Sequence, residues 1–458
     1  MKYFSTRNTK IEKNFSEIIM QGLPKDGGLY MPSEWPKVDI NNLKEFDYSD
    51  LAFEVISPYC NDSIPQEELR KIINNAYKIF HHPKVAPVID ITNNKHILEL
   101  FYGPTFAFKD YALQFIANLF EYFINKESTN LTIIGATSGD TGSAAIEACK
   151  LKKNINVFIL HPYEKISDVQ RRQMTTIIEP NIYNIAIKGN FDDCQNIIKN
   201  LFMNEDLLSK TKLSTINSIN WARIIAQSVY YYWAVLHLKG GMNKIDFIVP
   251  TGNFGNVFAG MVAKKMGLPI NKLHVVSNSN DILHRTISKG DMSIQKVVKT
   301  LSPSMDIQIS SNFERQLFDS LKFESKRLPE IMRKFSIDGK YQLDQTIIDN
   351  LSEHYDSYVV DDKKILNTIN LFYKKYHYIS DPHTATALSI LDKMNDENSH
   401  FISLACAHPS KFENAIIDSI GIKPDFPDSL KNIFDKEEKF TILENDKTVI
   451  REYILNKI

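Results

Sequence analysis

The sequence predicts an α/β protein with two open, twisted α/β domains, a ligand crevice between them and an N-terminal module in front. Three observations predict this fold class. LTIIG (131–135) reads as a short buried strand, ATSGDTGS as a loop, AAIEACKL as a helix, and NVFIL (156–160) as a second strand. The same order returns in DFIVP (246–250), TGNFGN, VFAGMVAKKMG and LHVVS (273–277). Strand, loop, helix and strand in succession imply a parallel sheet. The chain has 458 residues, enough for two or three domains of ordinary size. In open α/β sheets ligands sit at the carboxyl ends of strands, and both loops fall there.

Taken in order, residues 1–95 read as the N-terminal module. They hold the turn-rich QGLPKDGGLYMPSEWP and the helical PQEELRKIINNAYKIF. Residues 96–235 read as a small α/β domain that opens on the strand ILELF (97–101). Residues 236–458 read as a large α/β domain, with HFISLACAHPSKF (400–412) as a further buried strand running into a polar turn. The C-terminal stretch alternates charged and apolar positions and is expected to form a peripheral cap.

Composition excludes several classes. A formal net charge of −1 argues against nucleic acid or an acidic membrane surface as partner. Cys60, Cys149, Cys194 and Cys406 are scattered, which gives neither a disulfide framework nor a metal-binding spacing. The opening MKYFSTRNTK has no apolar core of a secretory signal, and no apolar run is long enough to span a bilayer. A cytoplasmic protein is expected.

GPTFAFKDYALQF (103–115) places Lys109 among phenylalanines and alanines. On a helix from Phe108 to Phe123, at about 100° per residue, Phe108, Ala112, Phe115, Ile116, Leu119, Phe120 and Phe123 share one side. Asp110, Gln114, Asn118 and Glu121 fall opposite, and Lys109 lands inside the apolar arc. Two readings follow. The stem lies on apolar surface with its head in water, or the amine is desolvated, easier to deprotonate and able to form a Schiff base.

TGNFGN (251–256) follows a strand and opens a helix, so its backbone N–H groups and the helix dipole suit a phosphate. The spacing matches neither the dinucleotide fingerprint nor a Walker loop, and an ordinary glycine turn is the alternative. TSGDTGS (137–143) also joins a strand to a helix. Ser138, Thr141 and Ser143 there offer hydroxyls to a carboxylate or phosphate, or merely cap the helix. NSINWAR (217–223) adds Asn217, Ser218, Asn220 and Arg223, the last able to clamp an anion.

With these motifs in order the sequence resembles the threonine synthase family. STRN (5–8), QGLPKDGGLYMP (21–32), GPTFAFKD, ATSGDTGSAA, PTGNFGN and AHPSKF (407–412) carry the resemblance, which spans nearly the whole chain. It implies the tryptophan-synthase-β-like fold, fold type II of pyridoxal-phosphate enzymes, with the cofactor in the crevice. It further implies that Lys109 holds the cofactor as a Schiff base. Gly252, Asn253, Phe254, Gly255 and Asn256 cradle its phosphate, and Asp140 approaches its 3-oxygen. Ser138, Thr141, Asn217, Ser218 and Arg223 are the candidates for the substrate's carboxylate and phosphate. Cys406 stands where the family pattern has a threonine facing the pyridine nitrogen. DPHTATAL (381–388) also resembles a family motif; Asp381, His383 and Thr384 there line the site or only start a helix. The implied reaction turns O-phospho-L-homoserine and water into L-threonine and phosphate by γ-elimination and β-replacement, in a monomer or weak homodimer with no metal. A dehydratase or cysteine-synthase-like enzyme of the same fold is the nearest alternative, and a non-catalytic binder of phosphorylated amino acids is another. Phosphate release together with threonine separates the first; a buried, reactive Lys109 separates the second.

Overall fold

The computed structural model describes residues 1–215, 217–238, 244–324 and 326–458. In chain order its strands are β1 (Tyr3–Ser5), β2 (Asn8–Lys13), β3 (Tyr30–Pro32), β4 (Val88–Asp90), β5 (Lys95–Glu99), β6 (Leu131–Ala136) and β7 (Ile155–Pro162). There follow β8 (Ile182–Lys188), β9 (Lys212–Ser214), β10 (Lys244–Pro250), β11 (Ile270–Ser277), β12 (Tyr355–Val359), β13 (Ser399–Ala405) and β14 (Thr441–Glu444).

Two mainly parallel sheets dominate. One has the order β12-β11-β10-β13-β5-β4, the other β14-β8-β7-β6-β9. Among the described residues only the β4–β5 pair runs antiparallel in them. β6 and β13 are buried along their whole length, as expected of strands covered by helices on both faces, which read as continuous apolar runs. Register is tight around β10: Phe247 pairs with Leu273 on one side and Ile402 on the other. β10, β13 and β5 are direct neighbours, so three segments far apart in sequence deliver their C-terminal loops to one place.

Sheet membership departs from a division of the chain at 95 and 235. β4 and β5 belong to the sheet of β10 and β13, and β14 completes the sheet of β6 to β9. The second boundary falls in the last turn of the helix Trp221–Leu236. Hydrogen-bond pairing between strands, invisible to local composition, decides this. The C-terminal stretch is likewise no mere cap. β14 pairs with β8, and Ile450 and Ile454 of the helix Lys447–Leu455 are fully buried with Ile185 and Leu160. The N-terminal sheet β2-β1-β3 shares the main core through Tyr3, Phe15 and Trp221.

The helix Lys109–Glu127 packs against the helices Gln66–Tyr77, Asp140–Cys149 and Trp221–Leu236. It therefore has no solvent face in its first turns. Asp110 and Gln114, expected on a polar side, are buried. Asp110 is accommodated because Thr105 donates to it from its backbone N–H (2.8 Å) and its hydroxyl (2.7 Å).

Candidate functional site

Lys109 opens its helix at the end of the loop that leaves β5. The GPTFAF segment folds back to deliver it. Gly103 lies so close to Asp110 that a Cβ would come within 2.4 Å of it, and Phe108 N–H donates to the Cys406 carbonyl at 2.8 Å. That bond ties the lysine loop to the end of β13. Lys109 is only 8% exposed, which decides between the two readings of its position: the amine is inside. Burial lowers its pKa; Asp140 opposes that, and Lys411 and Arg223 add to it.

Asp140 opens the helix that follows β6 and faces the amine from the other sheet, 3.6 Å from Lys109 Nζ. Burial alone would raise its carboxyl, but Lys411 and Lys109 outweigh it and hold it well below the usual carboxylate range. Lys411, itself 1% exposed, reaches Asp140 at 2.7 Å and the Thr105 carbonyl at 2.8 Å. Gln170 donates to the same carboxylate at 2.8 Å. Two buried lysines thus flank one buried carboxylate across the crevice, and Arg223 is a third buried cation, its guanidinium pushed down to about 10 by burial. Buried cations gathered around one carboxylate give this place a positive field that suits anions.

The loop after β10 supplies the second half. Phe254 sits in the left-handed region at φ 61, costly for a bulky side chain, and is held there by its packing on Phe313 and Tyr355. The helix Gly255–Lys265 opens directly on this loop with no side-chain cap, and the first N–H groups of a helix have no acceptor within the helix itself. Gly252 lets the Ser304 carbonyl approach, since a Cβ there would come to 2.8 Å of it. Asn256 is oriented by two tyrosines: Tyr230 and Tyr231 donate to its Oδ1 at 2.6 and 3.0 Å. Its Nδ2 is left buried with no partner among the described residues. Asn312 anchors the loop, donating to the Asn253 carbonyl at 3.0 Å and the Ser218 carbonyl at 3.2 Å. Arg315, fully buried, holds Asn312 and reaches the Ile219 carbonyl at 2.6 Å and that of Tyr30 at 3.1 Å.

The remaining expected residues divide. Ser138 and Thr141 are half-buried beside Asp140, and Asn217 and Ser218 are half-buried on the segment that Asn312 ties to the 252–256 loop. Ser143 turns away, its hydroxyl donating to the Asp140 carbonyl at 3.1 Å, and Asn220 caps the helix Trp221–Leu236. Cys406, 5% exposed at the end of β13, is kept a neutral thiol by burial, with Asp381 acting in the same direction. Sequence reasoning missed Lys411, Gln170, Ser304, Asn312 and Arg315. Lys411 lay within the quoted AHPSKF, but it sits in a 3-10 turn, Pro409–Phe412, where no periodicity tells inside from outside. The others had no local signal.

Comparison with known proteins gives three family matches in succession: "Threonine synthase N terminus" over residues 2–77, "Pyridoxal-phosphate dependent enzyme" over 97–400 and "Threonine synthase, C-terminal" over 384–454. The threonine synthase of Pseudomonas aeruginosa is 42% identical, with 99% of this chain and 98% of that protein covered. That of Saccharomyces cerevisiae is 40% identical, covering 96% and 95%. The crystal structure of a PLP-bound threonine synthase from Brucella melitensis superposes with a TM-score of 0.96 at 39% identity, covering 100% of this chain and 99% of that one.

Proposed function

The chain belongs to the threonine synthase family of pyridoxal-phosphate-dependent enzymes, and on that premise we propose that it converts O-phospho-L-homoserine and water to L-threonine and phosphate at the Lys109 crevice. The observation that carries the reading is the meeting of a buried amine with an uncapped, glycine-lined helix N-terminus and an orphaned Asn256 amide. These residues fit pyridoxal phosphate. Lys109 would attach it, the 252–256 loop would take its phosphate, Asp140 would face its 3-oxygen and Cys406 its ring nitrogen. A neutral thiol does not hold that nitrogen protonated.

When bound, the cofactor supplies an electron sink for the carbanion formed at the substrate's Cα. The chain's own groups do the rest. Lys109 Nζ removes the Cα proton, its lowered pKa favouring the free amine that this requires. A proton is then lost from Cβ, and the phosphate departs from Cγ toward Arg223, with the loop N–H groups and the hydroxyls of Ser138, Thr141 and Ser218 and the amide of Asn217 available to both substrate anions. Protonation at Cγ, addition of the water oxygen at Cβ and return of a proton to Cα complete threonine and release Lys109 as the free amine. The dry surroundings of Lys109 favour exclusion of water until that last step.

The test is direct. Purified protein with pyridoxal phosphate and O-phospho-L-homoserine should release phosphate and threonine in equal amounts. Deamination of free serine or threonine, with no turnover of the phosphate ester, sinks the reading. Gly252→Ala should weaken the cofactor site, because a Cβ would strike the Ser304 carbonyl. Overpacking of about 1–3 kcal/mol corresponds to roughly a ten- to hundredfold rise in the dissociation constant for pyridoxal phosphate, read by absorbance titration.

A cytoplasmic monomer or weak homodimer with no nucleic-acid or membrane partner goes with this function. Among the described residues no helix is long and apolar enough to cross a membrane.

A further inference from the structure

We propose that Ser304 is a further catalytic residue, its hydroxyl directing the Lys109 amine, and that His383 and Asp381 are positioning residues that hold Ser304 in place. Lys109 Nζ donates to Ser304 Oγ at 3.3 Å. Ser304 lies in the short turn Pro303–Met305, far from Lys109 in sequence, and is fixed from two sides.

On one side its backbone N–H donates to His383 Nε2 at 3.2 Å, while His383 Nδ1 lies 2.8 Å from Asp381 Oδ1. An accepting Nε2 requires the proton on Nδ1, where it is donated to Asp381, so the carboxylate sets the tautomer. The other Asp381 oxygen accepts from the Thr384 hydroxyl, and that hydroxyl oxygen accepts from Cys406 N–H at 2.9 Å. Asp381, His383 and Thr384 are all buried. On the other side Asp306 accepts from Thr300 N–H (2.9 Å), Thr300 Oγ1 (2.7 Å), Asn278 (2.8 Å) and Asn280 (3.1 Å). The Ser304 carbonyl meanwhile packs on Gly252. The backbone N–H is thus bonded and the carbonyl lies against Gly252, while the hydroxyl is turned to the amine.

The consequence is directional. When Lys109 takes the Cα proton it becomes an ammonium with three N–H bonds. One has its acceptor in Ser304 Oγ and a second is directed to Asp140 at 3.6 Å. The third, newly formed bond is the one left facing substrate carbon. Of the other groups acting on Lys109, Lys411 and Arg223 are cations and Cys406 is a buried thiol, so none replaces Ser304 as acceptor.

The inference rests on Lys109 as the proton acceptor, and its test keeps the two apart. Ser304→Ala, Ser304→Thr and His383→Ala are compared with wild type in two measurements. The first is kcat and KM of the cofactor-saturated enzyme. The second is the pH dependence of acetylation of Lys109 by acetic anhydride in the cofactor-free full chain, which needs no substrate. Ser304→Ala should lower kcat by roughly ten- to a hundredfold with KM within about twofold. It should also move the half-reactive pH of Lys109 downward, because the ammonium loses an acceptor. Threonine should restore both, and His383→Ala should move both in the same direction by less. Unchanged kcat, or a lower kcat with unchanged Lys109 reactivity, overturns the proposal and leaves Ser304 as a wall of the cofactor site. Failure of wild type to release phosphate from the substrate overturns the underlying reading instead, and the acetylation arm still decides the Ser304–Lys109 contact.

Discussion

Lys109→Ala should reduce threonine formation by at least about a thousandfold, with the folded protein preserved. General base catalysis is worth about 10²–10⁴, and the same substitution removes the proposed point of covalent attachment. Loss of the Lys109 amine removes both a cost and a gain: burial disfavours its charge, Asp140 favours it, and Lys411 and Arg223 disfavour it. The expected pattern is therefore a near-dead enzyme with an unfolding midpoint close to that of wild type. Absorbance gives the second readout, since the visible band of the lysine-linked cofactor should be absent. A variant that keeps that band, or more than a few per cent of turnover, would remove Lys109 from the centre of the mechanism.

Asp140→Asn should be the most destabilising change at the site. It leaves Lys411, 1% exposed, without the carboxylate it meets at 2.7 Å. Removing one partner of a buried pair costs about 3–5 kcal/mol, because the remaining charge is uncompensated. The sign of the pH dependence follows from the direction of the shift. The Asp140 carboxyl is held well below its unfolded value in the folded protein. Its contribution to stability is therefore fully present above the unfolded pKa of about 3.9, and is lost as pH falls from there through the folded value. The gap between wild type and Asp140→Asn in urea midpoint should be constant near neutrality and shrink below about pH 4. Turnover should fall about a hundredfold, the order seen when one preorganised charge is removed from a site. A gap that does not change with pH would show that the carboxylate's charge is not what stabilises the crevice.

Much of the fold was legible in the sequence, and the reason is local. LTIIG, NVFIL, DFIVP and LHVVS are continuous apolar runs between turn residues, and each is a parallel strand: β6, β7, β10 and β11. The inward position of Lys109 was legible from the phase of a helix. The polar side assigned to that helix was wrong at Asp110 and Gln114. Helical phase distinguishes faces but not what covers them, and other helices pack against this one on several sides. Sheet membership crosses the divisions at 95 and 235, at β5 and β14, for a related reason. Which strands pair is settled by long-range hydrogen bonds, and no local composition records them.

The sequence by itself determined the parallel α/β architecture, the two glycine-bearing loops placed between strand and helix and the lysine on an apolar face. Each is written in a few consecutive residues whose spacing or backbone freedom dictates local structure. Only the tertiary structure decided which groups surround the lysine. Lys411 and Ser304 come from turns without periodicity, hundreds of residues or nearly so from Lys109 along the chain. They meet because β5, β10 and β13 are neighbours and Asp140 arrives from the opposing sheet. The charge state of a buried amine depends on those neighbours, because adjacent charges are screened less in a poorly hydrated site than in bulk water.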